Sequence, residues 1–206
     1  VHFGSDDSAD VFAALLWTQI QRELDGLVDL VIDDTTDLEN LVIPAQAHVH
    51  VVPGVHEGPL TIDSTAIAVR GWDNQVCGIT GSNDGPALRV QGGASATVHR
   101  LHLLPGSGVL GQNGLRTGAT VHIDQGSLLL SGVQATGGSV DRGGCLAVHH
   151  GALQIADSQF HGGSAVDAGG VLYADSSQLQ ISTCIMHGGV AAAGGGLALS
   201  SSTLET

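Results

Sequence analysis

Carboxylate and imidazole side chains recur along this sequence at a nearly constant spacing of 25 or 26 positions. Two columns share that spacing: Asp124, His149, Asp175 and Ser200, and His161 with His187. Groups of this kind held in register can ligate a divalent ion or hydrogen-bond a sugar. The alternative is that they are solvated positions aligned because the chain itself repeats. Neither column offers three good ligands with supporting groups, so we predict no metal site.

A further pair of carboxylates, Asp141 and Asp167, is 26 positions apart and has Arg142 beside it. Polysaccharide lyases need carboxylates for Ca²⁺ and a base, and glycoside hydrolases need two acids across a sugar-binding cleft. Ala192 interrupts this column in the next repeat, the chain contains no lysine, and Tyr173 is the one aromatic residue that we place on an outward strand face. We therefore predict that the protein is not an enzyme, and keep a carbohydrate-active enzyme as an alternative.

The segment GSGVLG at residues 106–111 matches the glycine pattern of dinucleotide-binding loops. That function requires a helix to begin at the third glycine and hold the pyrophosphate at its N-terminus. The following segment, 112–118, is rich in glycine and polar residues and does not have the pattern of a helix. We predict no nucleotide binding and no cofactor.

The composition limits the classes of partner. The chain has 206 residues, a formal net charge of −14, 31 glycines and 42% hydrophobic residues. An acidic surface repels nucleic-acid phosphates, so we predict no nucleic-acid partner, and no apolar segment is long enough for a membrane-spanning helix. Cys77, Cys145 and Cys184 are an odd number without a paired spacing, which indicates free thiols.

An internal repeat dominates the second half of the chain. Glycine-led segments recur with hydrophobic residues in matching positions, at residues 118–123, 143–148, 169–174 and 194–199. Three further columns keep the same register: Leu128, Leu153, Leu179 and Leu204; Leu130, Ile155 and Ile181; Ala135, Phe160 and Met186. A period near 25 with three short apolar segments predicts a parallel β-helix of three strands per coil, stacked at about 4.8 Å.

Alternation along each strand predicts which side chains face the core. In one coil we expect the inward set to comprise Leu146, Val148, Leu153, Ile155, Ser158 and Phe160, with Ala147 and His149 outside. The glycine pairs at 162–163 and 169–170 recur at 188–189 and 194–195, so we interpret them as corners of the coil and not as a ligand cradle.

Three regions follow from this pattern. Residues 1–27 are predicted to form an N-terminal cap, because apolar residues recur at helical spacing between about 7 and 24. Residues 28–117 are predicted to form irregular coils with longer turns, including 71–86 and 106–118. Residues 118–206 are predicted to form regular coils, and we expect the sequence to be one section of a longer protein.

The segment FHGGSAVDAGGVL at residues 160–172 resembles the repeat of polymorphic membrane proteins, in which F-x-x-N precedes small residues and a G-G-A-aliphatic sequence. Phe160, Ala165, Gly169, Gly170 and Leu172 match, and Gly163 stands at the Asn position. Residues 135–146 and 186–197 are similar. The resemblance implies a right-handed parallel β-helix on a secreted or cell-surface protein, of the kind found in autotransporter passengers that act in adhesion.

We therefore expect an all-β, right-handed parallel β-helix with an N-terminal amphipathic capping helix. Its expected function is structural or adhesive, as a stalk, passenger or filament component outside the cell or associated with the outer membrane. Expected partners are another protein or a surface glycan, bound through exposed loops such as 81–86, without direct membrane insertion of this segment. An accessory subunit that packs in a larger assembly is a second alternative.

Overall fold

The computed structural model describes residues 28–72 and 76–206, which form short β-strands joined by turns. In chain order the strands are β1 (Asp29–Ile32), β2 (His48–Val51), β3 (Gly54–Glu57), β4 (Leu60–Ile62), β5 (Ile67–Gly71), β6 (Cys77–Thr80), β7 (Leu88–Gln91), β8 (Ser95–His99), β9 (His102–Leu104), β10 (Val109–Leu110), β11 (Arg116–Thr117), β12 (Val121–Asp124), β13 (Ser127–Ser131), β14 (Gln134–Thr136), β15 (Ser139–Arg142), β16 (Leu146–His149), β17 (Ala152–Ala156), β18 (Gln159–His161), β19 (Ser164–Ala168), β20 (Leu172–Asp175), β21 (Gln178–Ser182), β22 (Ile185–His187), β23 (Leu197–Ser200) and β24 (Thr203–Glu205).

The strands build a parallel β-solenoid of about six turns. From β3 onward each turn adds one strand to each of three sheets. Sheet I contains eight strands, in the order β1-β2-β5-β8-β13-β17-β21-β24. Sheet II contains β3, β6, β9, β14, β18 and β22, and sheet III contains β4, β7, β12, β16, β20 and β23. Each strand pairs with the equivalent strand one turn away. The period of the sequence repeat is therefore the number of residues in one turn.

The register confirms the sequence repeat. Leu128, Leu153, Leu179 and Leu204 lie opposite one another in sheet I, and Ala135, Phe160 and Met186 do so in sheet II. All six residues that we predicted to face inward in one coil are buried: Leu146, Val148, Leu153, Ile155, Ser158 and Phe160. Because each sheet contributes an apolar column, the core runs without interruption along the described coils.

A fourth sheet was not predicted. Sheet IV contains β10, β11, β15 and β19, and the last two of these are inserted between sheets II and III in the regular coils. These coils therefore have four strands and not three. The predicted insertion at 106–118 forms the antiparallel pair β10–β11, and β11 then pairs in parallel with β15. The predicted insertion at 71–86 contains β6, which is a regular member of sheet II.

Glycines lie at the corners between sheets IV and III, as the repeat predicted. Gly143, Gly169 and Gly194 all have positive φ, between 58° and 68°, a conformation that L side chains rarely adopt. A Cβ on Gly169 would also overlap the carbonyl oxygen of Leu172. Glycine is therefore required at these corners by the backbone conformation and by the lack of space for a side chain.

The predicted capping helix lies outside the described residues. Throughout residues 28–72 and 76–206 the regular elements are all strands, and no helix there is long and apolar enough to cross a membrane.

Candidate functional site: a polar cluster between sheets III and IV

The outer face of sheet III carries a column of residues that is unusually well covered. Arg89, His122, Ala147 and Tyr173 lie directly opposite one another on β7, β12, β16 and β20. Their neighbours along each strand point into the core, so this column faces outward. Even so, Ala147 is 0% exposed, His122 6% and Tyr173 7%.

The covering comes from the corners that lead out of sheet IV. A Cβ on Gly118 would lie 3.0 Å from the Cβ of Ala147, and one on Gly143 would lie 3.2 Å from it. The chain therefore folds over the outer face of sheet III before it enters the next strand. Ala147 and Tyr173 lie on the outward side of their strands, as predicted. Their burial was not predicted, because the sequence analysis did not include the fourth strand of the coil.

The second outward column of sheet III is the one that the repeat spacing predicted. Asp124, His149, Asp175 and Ser200 are consecutive Cα partners on β12, β16, β20 and β23. His149 is therefore flanked by a carboxylate on each side. The imidazole of His149 also contacts the first column diagonally, with ring centroids 5.4 Å from His122 and 5.7 Å from Tyr173.

Burial controls the charge of both imidazoles. It lowers the pKa of His122 to about 3, with His149 and Arg89 adding to the effect, so His122 is neutral at physiological pH. Burial also lowers the pKa of His149, although Asp124 and Asp175 oppose the shift. The site thus offers imidazole nitrogens as neutral hydrogen-bonding groups.

Arg142 on β15 connects sheet IV to this site. Its Nε donates to Oδ2 of Asp167 and its Nη1 donates to the hydroxyl of Tyr173, both at 3.4 Å. Its guanidinium carbon lies 5.4 Å from the centroid of the Tyr173 ring, within the range of a cation–π contact. Arg142 therefore joins two coils and two sheets.

Asp141 and Asp167, which we expected to stack, are not direct partners. The register shifts between Val140 and Arg142, where β19 has one residue more than β15. Asp141 instead accepts a hydrogen bond of 2.6 Å from the backbone N–H of Arg116. Asp141 thus binds a backbone amide of β11, whereas Asp167 pairs with the guanidinium of Arg142 on β15.

Two buried polar atoms of the first column have no hydrogen-bond partner within the protein. These are Nε of Arg89 and Nδ1 of His122, which belong to residues directly opposite each other. A buried polar group without a partner is costly, so such atoms often mark a functional site. The sequence analysis did not select either residue, since Arg89 lies before the regular repeat, 33 positions from its partner His122, and this alignment requires the structure.

We call the eight polar residues around this point the outer cluster: Arg89, His122, Asp124, Arg142, His149, Asp167, Tyr173 and Asp175. It combines hydrogen-bond donors, carboxylate acceptors and the rings of two adjacent residues, His149 and Tyr173. Among the residues that the structure describes, no group of three or more His, Cys, Asp or Glu side chains is arranged to hold a metal ion.

The other predicted positions lie elsewhere. His161 and His187 are partners on the outer face of sheet II, with ring centroids 4.3 Å apart in an edge-to-face arrangement. The segment GSGVLG contains strand β10 and is followed by a turn and not by a helix. In the loop at 81–86, Asn83 and Asp84 are exposed whereas Gly85 and Pro86 are buried.

A shallow depression of about 570 Å³ lies on the outer face of sheet I. Its floor is formed by small side chains, including Ala68, Ser95, Ser127 and Ala152. It contains no ionisable group and no unpartnered buried polar atom, so it offers less specific chemistry than the outer cluster.

Comparison of the chain with protein-family models, with curated proteins and with solved structures gives no match.

Proposed function

We propose that this chain is a non-enzymatic, structural and adhesive module of a secreted or cell-surface protein, built as a right-handed β-helix. One observation carries the proposal: the same outward positions recur on consecutive strands of a solenoid with a continuous core. A rod of this kind holds surface side chains at a fixed spacing of about 4.8 Å per coil, which suits a stalk or a binding surface for a repetitive ligand.

The resemblance of residues 160–172 to the polymorphic membrane protein repeat supports the same proposal. Passenger domains of that kind are surface-displayed and adhesive. The formal charge of −14 agrees with a partner that is neither nucleic acid nor an anionic membrane. The proposed partner is a surface glycan or another protein, bound through an exposed face or loop of the rod.

A direct test is adhesion of beads that carry the purified chain. We expect these beads to bind a glycan-coated surface or a cell surface above the level of beads that carry an unrelated acidic protein. A matched variant replaces the two exposed loop residues, Asn83→Ser and Asp84→Ser, and keeps the buried Gly85 and Pro86. Loss of adhesion in this variant would locate the partner at the loop, and absence of adhesion in the unmodified chain would contradict the proposal.

A carbohydrate-active enzyme is the second candidate, because Asp124 and Asp175 flank His149 on the outer face of sheet III. They lie two strand spacings apart, about 9.6 Å, near the upper limit for the two acids of an inverting glycosidase. Release of reducing ends from a neutral polysaccharide would favour this candidate if Asp124→Asn and Asp175→Asn each abolish it. We expect no release from the unmodified chain.

A further inference from the structure

We propose that the outer cluster is a binding site for a neutral glycan, in which one sugar hydroxyl bridges Arg89 and His122 and a sugar ring packs on His149. This inference deepens the proposed function and rests on it, because it names the site and the ligand class of an adhesive module. It is also separable from that function, since the rod can adhere through a different face.

The hydrogen-bonding capacity of the first column favours a hydroxylated ligand. Nε of Arg89 is a donor, and the neutral imidazole of His122 offers an acceptor or a donor at Nδ1 according to its tautomer. Both atoms are buried and have no hydrogen-bond partner within the protein, and the exposed fraction of His122 is 6%. A hydroxyl group accepts one hydrogen bond and donates another, so one sugar hydroxyl placed between the two atoms would satisfy both residues.

Access to these atoms requires a small movement. Arg89 is half-buried, and its guanidinium lies at the end of a flexible side chain. Rotamer changes of this size are common when a ligand binds. The neighbouring His149 is also half-buried, so the entrance to the site lies on the side of the second column.

The half-buried ring of His149 provides the apolar surface of the site, and the buried rings of His122 and Tyr173 lie against it. The centroids of His149 and Tyr173 are 5.7 Å apart, and those of His149 and His122 are 5.4 Å apart. The three rings thus form a staggered row parallel to the axis of the rod. From β7 to β20 the site spans three strand spacings, about 14 Å, which is long enough for several sugar units of an extended chain.

The charges of the site select against an anionic glycan. Asp124 and Asp175 border the row of rings, and Asp167 neutralises Arg142 at 3.4 Å. Arg89 is the one cation of the cluster that no carboxylate of the described chain pairs with by a salt bridge, and its Nε is the atom assigned to the hydroxyl. Uronate polymers would therefore meet more negative than positive charge.

The binding experiment uses the purified chain and defined hexasaccharides. The neutral probes are cellohexaose, xylohexaose, maltohexaose and mannohexaose, and the anionic probe is hexagalacturonate. We expect at least one neutral probe to bind, measured by isothermal titration calorimetry, and hexagalacturonate not to bind. His122→Leu and His149→Ala should each raise the dissociation constant at least about tenfold, the effect of losing one hydrogen bond or contact of this kind.

The matched control is His161→Ala, which removes an imidazole from the outer face of sheet II and should leave the affinity unchanged. Circular dichroism and the thermal midpoint identify any variant that fails to fold. Should His122→Leu be unfolded, His149→Ala alone tests the site, because His149 is half-buried and its truncation disturbs the core less.

Three results would overturn the inference. The first is that no neutral hexasaccharide binds while the beads adhere, which keeps the proposed function and removes the site. The second is binding that the folded His122→Leu and His149→Ala variants retain. The third is that these variants lose only thermal stability, which would assign the outer cluster to holding sheets III and IV together.

Discussion

Gly170 and Gly195 meet backbone to backbone on adjacent coils: a Cβ on Gly170 would overlap the carbonyl oxygen of Gly195 and crowd the backbone N of Val190. Gly170 is not among the residues with positive φ. Glycine is therefore required at this position because a side chain would not fit, and not because of the backbone angles. The corner of one coil is thus shaped by the corner of the next.

We predict that Gly170→Ala lowers the free energy of unfolding by about 3 kcal/mol, because the added methyl group forces two packed backbones apart. Gly162→Ala is the matched control, since a Cβ there meets nothing within 4 Å and only the φ of 67° is unfavourable. Its expected cost is about 1 kcal/mol. Urea unfolding of both variants measures the difference; equal costs, or a folded Gly170→Ala variant that loses only ligand binding, would contradict the role as a corner.

Among the described residues, Phe160 is the largest fully buried side chain; it lies between Ala135 and Met186 in sheet II. Phe160→Ala should lower the free energy of unfolding by about 3–5 kcal/mol, through lost apolar burial and the remaining cavity. Val166→Ala, at a position that is 68% exposed, should change it by less than about 0.5 kcal/mol. A loss near 1 kcal/mol for Phe160→Ala would show that the coils collapse around the site.

Thr183 is exposed and adopts a φ of 50°, which is unfavourable for a β-branched residue. Thr183→Gly should therefore raise the free energy of unfolding by about 0.5–1 kcal/mol, after the entropy cost of glycine is subtracted. Thr203→Gly, in strand β24, should lower it, because glycine weakens a strand. Thermal unfolding of both variants is the measurement, and a lower midpoint for Thr183→Gly would refute the assignment of strain.

The buried His122 predicts a dependence of stability on pH. Its pKa is lowered to about 3 in the folded protein, against about 6.5 for an unperturbed histidine. The unfolded chain therefore binds a proton that the folded chain excludes, so the stability associated with neutral His122 is complete above pH 6.5 and declines as the pH falls toward 3.

The comparison is between the unmodified chain and His122→Gln, with the free energy of unfolding measured from pH 7 to pH 4.5. We expect the unmodified chain to lose stability more steeply below pH 6, by up to about 1.4 kcal/mol per pH unit. His99 and His149, whose pKa values are also lowered, contribute to both proteins. Parallel curves would mean that the pKa of His122 is the same in the folded and unfolded states, which would contradict the lowered pKa.

The three thiols should differ in reactivity. Cys145 is fully buried, and burial raises the pKa of its thiol to about 12; burial also raises the pKa of the Cys77 thiol. Cys184 is partly exposed. A thiol reagent should modify Cys184 first and leave the other two intact until the protein unfolds, as mass spectrometry can show. Early modification of Cys145 would indicate that the coil opens locally.

The columns of sheets I, II and III were predictable because each strand alternates with a period of two and each coil repeats after 25 or 26 residues. Asp124, His149 and Asp175 could be aligned for the same reason. Strands β15 and β19 could not, since Ser139–Arg142 and Ser164–Ala168 are short, carry only one clearly buried apolar residue each, and have a shifted register. Missing this sheet also concealed the burial of His122 and Tyr173.

His56 shows a similar limit in the earlier coils. It occupies an inward position in sheet II, opposite Ile79, and is 4% exposed. A sequence pattern places histidine outside by default, and only the register with β6 shows that it continues a core column. Its Nε2 lies 3.1 Å from the carbonyl oxygen of Val52, which compensates for its burial.

The extra residue of β19 has a consequence for how the chain tolerates changes in length. Offsets between partners change from 25 to 26 between Val140 and Arg142, and return to 25 between the bridges Ser164–Val190 and Ala168–Ala193. Sheets I, II and III keep their registers in both coils. Sheet IV is therefore the part of each regular coil where a residue can be gained or lost while the other three sheets keep their register. We expect engineered insertions, such as an epitope or a second binding loop, to be accepted there before anywhere else in the regular coils.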